Sequence, residues 1–179
     1  MVTAAVSTAA RVDATAKALR AWHVLEHVLD PEVPVVSVVD LGIVREVAEA
    51  DDGSLVVALT PTYSGCPATE VIEKSVRAAL AEAGFDRVAV RLQRAPAWTT
   101  DWISAEGRRK LREYGIAPPG MVAAEQGVPI RLVRREPALA CPRCESLNTE
   151  RLSAYGSTAC KALYRCRACG EPFEHFKPI

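Results

Sequence analysis

Residues 141–169 read CPRCESLNTERLSAYGSTACKALYRCRAC, two Cys-x-x-Cys pairs with 21 residues between them. Each pair, Cys141 with Cys144 and Cys166 with Cys169, forms a knuckle that turns two sulfurs toward one point. Four thiolates together close the tetrahedral shell of a structural zinc. The gap slightly exceeds the usual span of about 15 to 20 residues, and one hairpin absorbs the excess. Tyr164-Arg165 before the second knuckle and Phe173, His175 and Phe176 after it suit short strands, and Tyr155-Gly156-Ser157-Thr158 suits a turn. The reading is a zinc ribbon. Rubredoxin-type iron uses the same four thiolates, and spacing does not decide between the metals. Two disulfides are the alternative. The chain shows no signal-peptide pattern and no long apolar run, so the expected compartment is a reducing cytoplasm and the expected product is a metal site.

Composition bounds the rest of the chain. Its 179 residues allow one good core plus a small second unit, and 49% hydrophobic with 25% charged residues is ordinary for a soluble globular protein. The formal charge is zero but unevenly spread. Residues 131–179 carry nine Lys and Arg against five Asp and Glu, and residues 1–130 carry thirteen against seventeen. That excess is weak for phosphate binding without a tight basic cluster, so nucleic acid is a poor candidate partner.

Upstream of the ribbon, residues 1–12 read as a frayed tail and Asp13 as the cap of a first helix. Ala18, Trp22, Leu25 and Leu29 recur at helical spacing until Asp30-Pro31, since the residue before a proline disfavours the α region. Ile43–Ala50 and Leu55–Leu59 flank Asp51-Asp52-Gly53 as a hairpin. Ala68, Val71, Ile72, Val76, Ala79, Leu80 and Ala83 mark a second helix ending at Gly84. Val88, Val90 and Leu92 alternate as a third strand. The fold class is α+β: a small αββαβ sandwich, one sheet with helices against one face, followed by the ribbon. A short helix spans Ser104–Tyr114, Pro118-Pro119-Gly120 opens a linker, and Ile130–Val133 reads as a strand that joins the ribbon.

Thr60-Pro61-Thr62-Tyr63-Ser64-Gly65-Cys66-Pro67 carries separate chemistry. A strand ends, a loop turns, and Cys66 precedes a proline suited to the first helical position. Unpaired N–H groups and the positive end of the helix dipole predict a stabilised thiolate, a better nucleophile or metal ligand. A small buried hydrophobe is the alternative reading of the same cysteine. Asp30, Glu32 and Asp40 either surround Cys66 through their loops or cap helices and turns.

Three motifs in order, Asp30-Pro31-Glu32-Val33-Pro34, Val39-Asp40-Leu41-Gly42-Ile43-Val44 and Thr60 to Pro67, resemble the small domain of iron–sulfur-cluster assembly factors over about residues 14–95. The resemblance implies an accessory protein that helps load clusters onto client enzymes, with Cys66 as the residue concerned. Pro96 to Trp102, Gly115 to Pro119 and Cys141 to Phe173 extend the similarity to the D-protein family of phenylacetyl-CoA epoxidase systems of aerobic phenylacetate degradation. That family resemblance implies a maturation factor, not a catalytic subunit, whose partners are the 2Fe–2S reductase or the di-iron oxygenase of the system. It also implies a transient iron–sulfur cluster as cargo, beside the one structural zinc per chain that the four knuckle cysteines predict. The resulting domains are 13–118, assembly-like; 119–138, linker; and 139–179, zinc ribbon.

The residues suit that role. Neither a Glu-x-x-His motif nor a Gly-x-Gly-x-x-Gly loop is present, so an oxygenase iron site or a nucleotide site is not expected. His23 and His27 stand four apart, and His175 lies near the second knuckle, but both are weaker metal-ligand candidates than the cysteines. Cys160 is the odd thiol: a competing zinc ligand, a contact for a cluster in transit, or filling for the ribbon's core. Trp98 and Trp102 read as an apolar latch in preference to a partner surface. Besides a maturation factor, a structural or regulatory subunit of the epoxidase and a nucleic-acid-binding ribbon protein are the readings that remain. The sequence is compatible with a homodimer without requiring one.

Overall fold

The computed structural model describes residues 15–63, 65–120 and 139–179. The chain is α+β and folds as two compact units that divide between Lys110 and Leu111. Among the described residues no helix is long and apolar enough to cross a membrane.

In the first unit, helix α1 (Ala16–Leu25) is opened by Thr15, whose hydroxyl accepts the N–H of Ala18 at 3.2 Å. Asp13, the expected cap, lies outside the described residues. Ala18, Ala21, Trp22 and Leu25 form the buried stripe. The helix stops well before Asp30-Pro31 because the backbone there pairs elsewhere. Val38 donates to the carbonyl of Val28 and Asp30 to that of Val36, both at 2.9 Å, and Leu29 bridges Ser37. Leu29, expected on the apolar face, is therefore 51% exposed.

Strands β1 (Val44–Glu49) and β2 (Leu55–Leu59) form the expected antiparallel hairpin, with an irregularity between Val44 and Glu46. Helix α2 (Thr69–Glu82) then crosses to β3 (Val88–Leu92), which runs parallel to β2, in the order β1-β2-β3. A parallel neighbour requires such a crossover. Helix α1 packs on β1, α2 packs on β3, and the helices touch each other. Leu55, Val57 and Leu59 of the central strand are buried together with Val47, Ile72, Val76 and Leu80. Val71 belongs to the other side of α2, 49% exposed. At the end of α2, Gly84 takes φ 85°, and Phe85 and Gly84 donate to the carbonyls of Leu80 and Ala81, both at 3.0 Å. This is a Schellman closure, and it carries Phe85 into the core.

After β3 the chain returns to the loop that precedes β1. The indole of Trp98, buried, donates to the carbonyl of Leu41 at 2.9 Å. A 3-10 turn (Thr100–Trp102) follows, with Trp102 stacked under the Arg45 guanidinium, 3.5 Å from the ring centroid. Gly42, at φ 67°, lies so close that a Cβ there would stand 2.6 Å from the Trp102 carbonyl oxygen. Both tryptophans thus act as a latch. Ser104 accepts the N–H of Gly107 at 2.8 Å and opens helix α3 (Ala105–Tyr114).

In the second unit the sheet order is β4-β7-β6-β5, from β4 (Ile116–Ala117), β5 (Thr149–Ser153), β6 (Lys161–Cys166) and β7 (Pro172–Phe176). Strand β4 runs parallel to β7, and β6 is antiparallel to both β5 and β7. The strand expected at Ile130–Val133 lies outside the described residues, and Ile116–Ala117 occupies one edge of the sheet. Ala117, Cys141, Ala162, Tyr164, Cys166 and Phe173 form a small core, with Leu139 against it. The turn at residues 155–158 is held by an ion pair. The Lys161 ammonium, almost fully buried, meets Glu174 at 2.7 Å, and Glu174 also accepts the N–H of Ser157 at 2.5 Å.

Candidate functional site

The two knuckles have the same local geometry. Glu145 donates to the carbonyl of Cys141 and Gly170 to that of Cys166, both at 2.9 Å. Cys141 donates to Ser146 at 3.0 Å and Cys166 to Glu171 at 2.9 Å. The residue after each second cysteine takes positive φ, 61° at Glu145 and 79° at Gly170. Backbone N–H groups aim at the sulfurs: Ser146 at Cys144, Cys169 and Ala168 at Cys166, and Glu171 at Cys169.

None of the six cysteines is joined in a disulfide. The four knuckle sulfurs lie within 4.8 Å of one another, with Cys141 and Cys169 at 3.8 Å and Cys144 and Cys166 at 3.6 Å. A tetrahedron with metal–sulfur bonds of about 2.3 Å has edges of about 3.8 Å. A disulfide requires about 2.05 Å. The four side chains therefore fit a metal such as zinc. Charge leads to the same conclusion. The N–H groups of Cys169 and Ala168, helped by Cys144, draw Cys166 down to about 7 against the effect of burial. Cys144 is pulled down by the N–H of Ser146, but Cys169, burial, Cys166 and Cys141 push it up to about 12. Four sulfurs at this spacing ionise together only around a cation.

Cys66 lies just before α2, half-buried. The helix opens at Thr69, with Ala68 as its cap residue, two residues later than the Cys66-Pro67 pair suggested. Thr69 closes the turn, its hydroxyl donating to the carbonyl of Cys66 at 2.9 Å. The expected low-pKa thiolate is not what the environment produces. Burial pushes the thiol up, the N–H of Ala68 pulls it down, Glu32 and Asp30 push it up again, and the hydroxyl of Thr62 pulls it down. The outcome is a thiol above its ordinary value. Dipole and N–H donors are present, but desolvation and two nearby carboxylates outweigh them. Thr60, at the exit of β2, keeps a buried hydroxyl without a hydrogen-bond partner among the described residues.

The loops bring Asp30 and Glu32 within electrostatic reach of Cys66. The Asp30 carboxylate also shapes its own turn, accepting the N–H groups of Glu32 at 2.9 Å and Val33 at 2.8 Å. Asp40 is engaged elsewhere. It accepts from Ser37 N–H at 3.1 Å, from the Ser104 hydroxyl at 3.2 Å and from the Lys110 ammonium at 2.7 Å. Burial raises its pKa, yet Lys110, Ser37 and Ser104 overcome that and hold it below the usual carboxylate range.

The remaining candidates have structural partners. Cys160 is buried outside the four-sulfur cluster, its sulfur 3.1 Å from the Thr158 hydroxyl. The Nδ1 of His175 meets the carbonyl of Ala117 at 3.2 Å, tying β7 to β4, and its ring lies edge-on to Tyr164. The rings of His23 and His27 meet edge to face, and Nδ1 of His27 lies 2.8 Å from the carbonyl of His23. Among the described residues the four knuckle cysteines form the one group of three or more such side chains placed to share an ion. Lys110, Ser104 and Gly107 were missed by sequence reading, because their contacts to Asp40 span more than sixty residues of chain and leave no local pattern.

Comparison with known proteins matches both halves. Residues 20–91 fit the family described as iron–sulfur cluster assembly protein, and residues 125–177 fit the PaaD zinc beta ribbon domain. An Escherichia coli (strain K12) protein that carries the name of the D component of 1,2-phenylacetyl-CoA epoxidase is 49% identical over 158 residues, covering 88% of this chain and 91% of that one. An Fe-S protein maturation auxiliary factor of Porphyromonas gingivalis is 36% identical, covering 50% of this chain and 85% of its own. A crystal structure of a DUF59 domain from Bacillus anthracis superposes with a TM-score of 0.51 at 28% identity, covering 54% of this chain and 92% of that one. The αββαβ unit and the four-cysteine ribbon are thus each matched by a known family, and their combination along one chain is matched by the E. coli protein. The chain belongs to the D-protein family of phenylacetyl-CoA epoxidase, in which an iron–sulfur cluster assembly domain is joined to a PaaD zinc ribbon.

Proposed function

We propose that this protein is a maturation factor that assists iron or iron–sulfur loading of the phenylacetyl-CoA epoxidase system, with Cys66 handling the cargo. The observation that carries the reading is the pairing of Cys66 with Asp30 and Glu32, in the half of the chain that matches the assembly family. A neutral thiol beside two carboxylates suits transient handling of a cation. The carboxylates attract iron, the arriving charge relieves the repulsion that keeps the thiol protonated, and the proton leaves to solvent as the sulfur binds. One sulfur is too few to hold a cluster alone, so cargo is shared with ligands of the client or a second copy. The cargo is substrate, bound and released.

The ribbon, holding one zinc through Cys141, Cys144, Cys166 and Cys169, serves as the client-docking module. A nucleic-acid role is less suitable. Arg165 and Arg167 both pair with Glu150, Arg143 pairs with Glu171 and Lys161 with Glu174, so those charges are taken up within the ribbon. The name carried by the E. coli relative favours, as a second reading, a structural or regulatory subunit of the epoxidase. Co-purification with active oxygenase at fixed stoichiometry would support that second reading.

The test is reconstitution of the epoxidase system in cells with wild type, Cys66→Ser or Cys160→Ser, measuring the iron and 2Fe–2S absorbance of the purified reductase and oxygenase. Cys66→Ser keeps fold and zinc but loses client loading, and Cys160→Ser has the milder effect. Full client metal content with Cys66→Ser would refute cargo handling by this thiol.

A further inference from the structure

The match to iron–sulfur cluster assembly proteins ends at residue 91, and the segment that docks back onto the first unit lies beyond it. Its docking converges on Asp40. The backbone carbonyl of Asp40 accepts the N–H of Ser104 at 2.8 Å, and its carboxylate takes the Ser104 hydroxyl and the Lys110 ammonium. Gly107 lies against it so closely that a Cβ there would stand 2.8 Å from the Asp40 carbonyl oxygen. On its other side Asp40 grips Ser37 reciprocally. Its carboxylate accepts the Ser37 N–H at 3.1 Å, and the Ser37 hydroxyl accepts the Asp40 N–H at 2.9 Å. Ser37 bridges Leu29, and Val36 accepts from Asp30. Asp40 therefore joins the docked segment to the loop that carries Asp30 and Glu32.

We propose that Asp40, held by Lys110 and Ser104, is a positioning residue that fixes where the Asp30 and Glu32 carboxylates stand relative to Cys66. This rests on the reading of Cys66 given above, but its test does not need a client. The chemistry is a chain of fixed contacts. Lys110 neutralises Asp40, Asp40 orients Ser37, and Ser37 closes the 29–37 loop. Once that brace is loosened, the carboxylates that oppose ionisation of Cys66 stand farther from it on average. The sign separates this from a plain charge effect, because deleting the Lys110 cation by itself disfavours a thiolate and slows its reactions.

The experiment measures the iodoacetamide alkylation rate of Cys66 in the zinc-loaded full-length chain at fixed pH, by mass spectrometry of its peptide. The proteins are wild type, Lys110→Met, Lys110→Arg, Glu32→Gln and the Lys110→Met/Glu32→Gln double variant. Lys110→Met should react several-fold faster, as Glu32→Gln should. The double variant should gain less than the product of the two, and Lys110→Arg should restore the wild-type rate. If Lys110→Met loses its folded circular dichroism spectrum, Ser104→Ala, which removes one 3.2 Å bond to Asp40, carries the same test. An unchanged or slower rate in a folded variant, or fully multiplicative effects in the double variant, would overturn the proposal. Normal client metal content with Cys66→Ser would overturn cargo handling by Cys66 alone, since these rates need no client.

Discussion

The two knuckles differ at the residue after the second cysteine, and that difference sets up a paired substitution. Gly170 and Glu145 occupy equivalent places with φ of 79° and 61°, yet one is glycine and the other is not. A non-glycine residue in the left-handed region costs about 1–2 kcal/mol. A Cβ at Gly170 would meet nothing within 4 Å, so Gly170→Ala introduces backbone strain without a clash. Folding of the ribbon and metal binding are one equilibrium in such a small unit, so the strain appears in metal affinity. Alanine also has about 0.5–1 kcal/mol less unfolded-state freedom than glycine, which offsets part of the strain, so at about 1.4 kcal/mol per tenfold Gly170→Ala should weaken zinc binding by roughly 2- to 10-fold. Glu145→Gly removes a similar strain but adds about 0.5–1 kcal/mol of unfolded-state freedom, so its net effect should be neutral to slightly tighter binding. The assay is competition for zinc against a chromophoric chelator at constant pH. Equal affinities for Gly170→Ala and wild type, or a larger loss in Glu145→Gly than in Gly170→Ala, would refute the reasoning.

Purified protein should contain about one zinc per chain, and Cys169→Ser should release it and unfold the second unit while the first unit keeps its helical circular dichroism, since the ribbon core is small and two of its members are ligands themselves. Zinc retention at wild-type affinity would count against the four-sulfur site. Asp40 has a folded pKa below its unfolded value, so it contributes stability that is present above the ordinary carboxylate range and lost as pH falls through the lower folded value. The stability gap between wild type and Asp40→Asn should accordingly be largest near neutrality and shrink in acid, as read from urea midpoints; a gap independent of pH would contradict it. Gly42→Ala combines positive φ with a 2.6 Å approach to the Trp102 carbonyl, so it should cost more than the roughly 1–2 kcal/mol of strain alone and should raise the exposure of Trp98 to acrylamide quenching.

The metal site was legible because its signal is local: two Cys-x-x-Cys pairs are short-range geometry and survive without knowledge of the fold. The αββαβ order was legible for a similar reason, since Trp22 and Leu25, Val57 and Leu59, or Val76 and Leu80 repeat at the period of their element. What escaped sequence reading depends on distant partners. Strand β4 has only two residues, too few for any alternation to show, and exists because β7 offers it an edge. The end of α1 was misplaced because its stop lies in cross-loop pairing of residues 28–30 with 36–38, and the proline downstream only marks the loop. The thiol of Cys66 was misjudged because helix position is visible in sequence whereas burial and the approach of Glu32 and Asp30 are not. For Asp40 the sequence offers two readings, a neighbour of Cys66 or a cap of a turn; its contact to Ser37 is of the second kind, and its partners Ser104 and Lys110, 64 and 70 residues away, leave no local pattern.

The pairing of Ile116–Ala117 with β7 bears on how the protein can be dissected. A fragment cut at residue 125, where the ribbon match begins, keeps all four knuckle cysteines and so the means to bind metal. It lacks the strand that covers one edge of β7 and the carbonyl of Ala117 that faces the imidazole of His175. Such a fragment would present an open row of backbone donors and acceptors, the feature that drives strands of separate molecules to associate. Self-association of the isolated ribbon would then report an exposed seam made by the cut, and a fragment begun at residue 111 should remain monomeric by sedimentation under the same conditions.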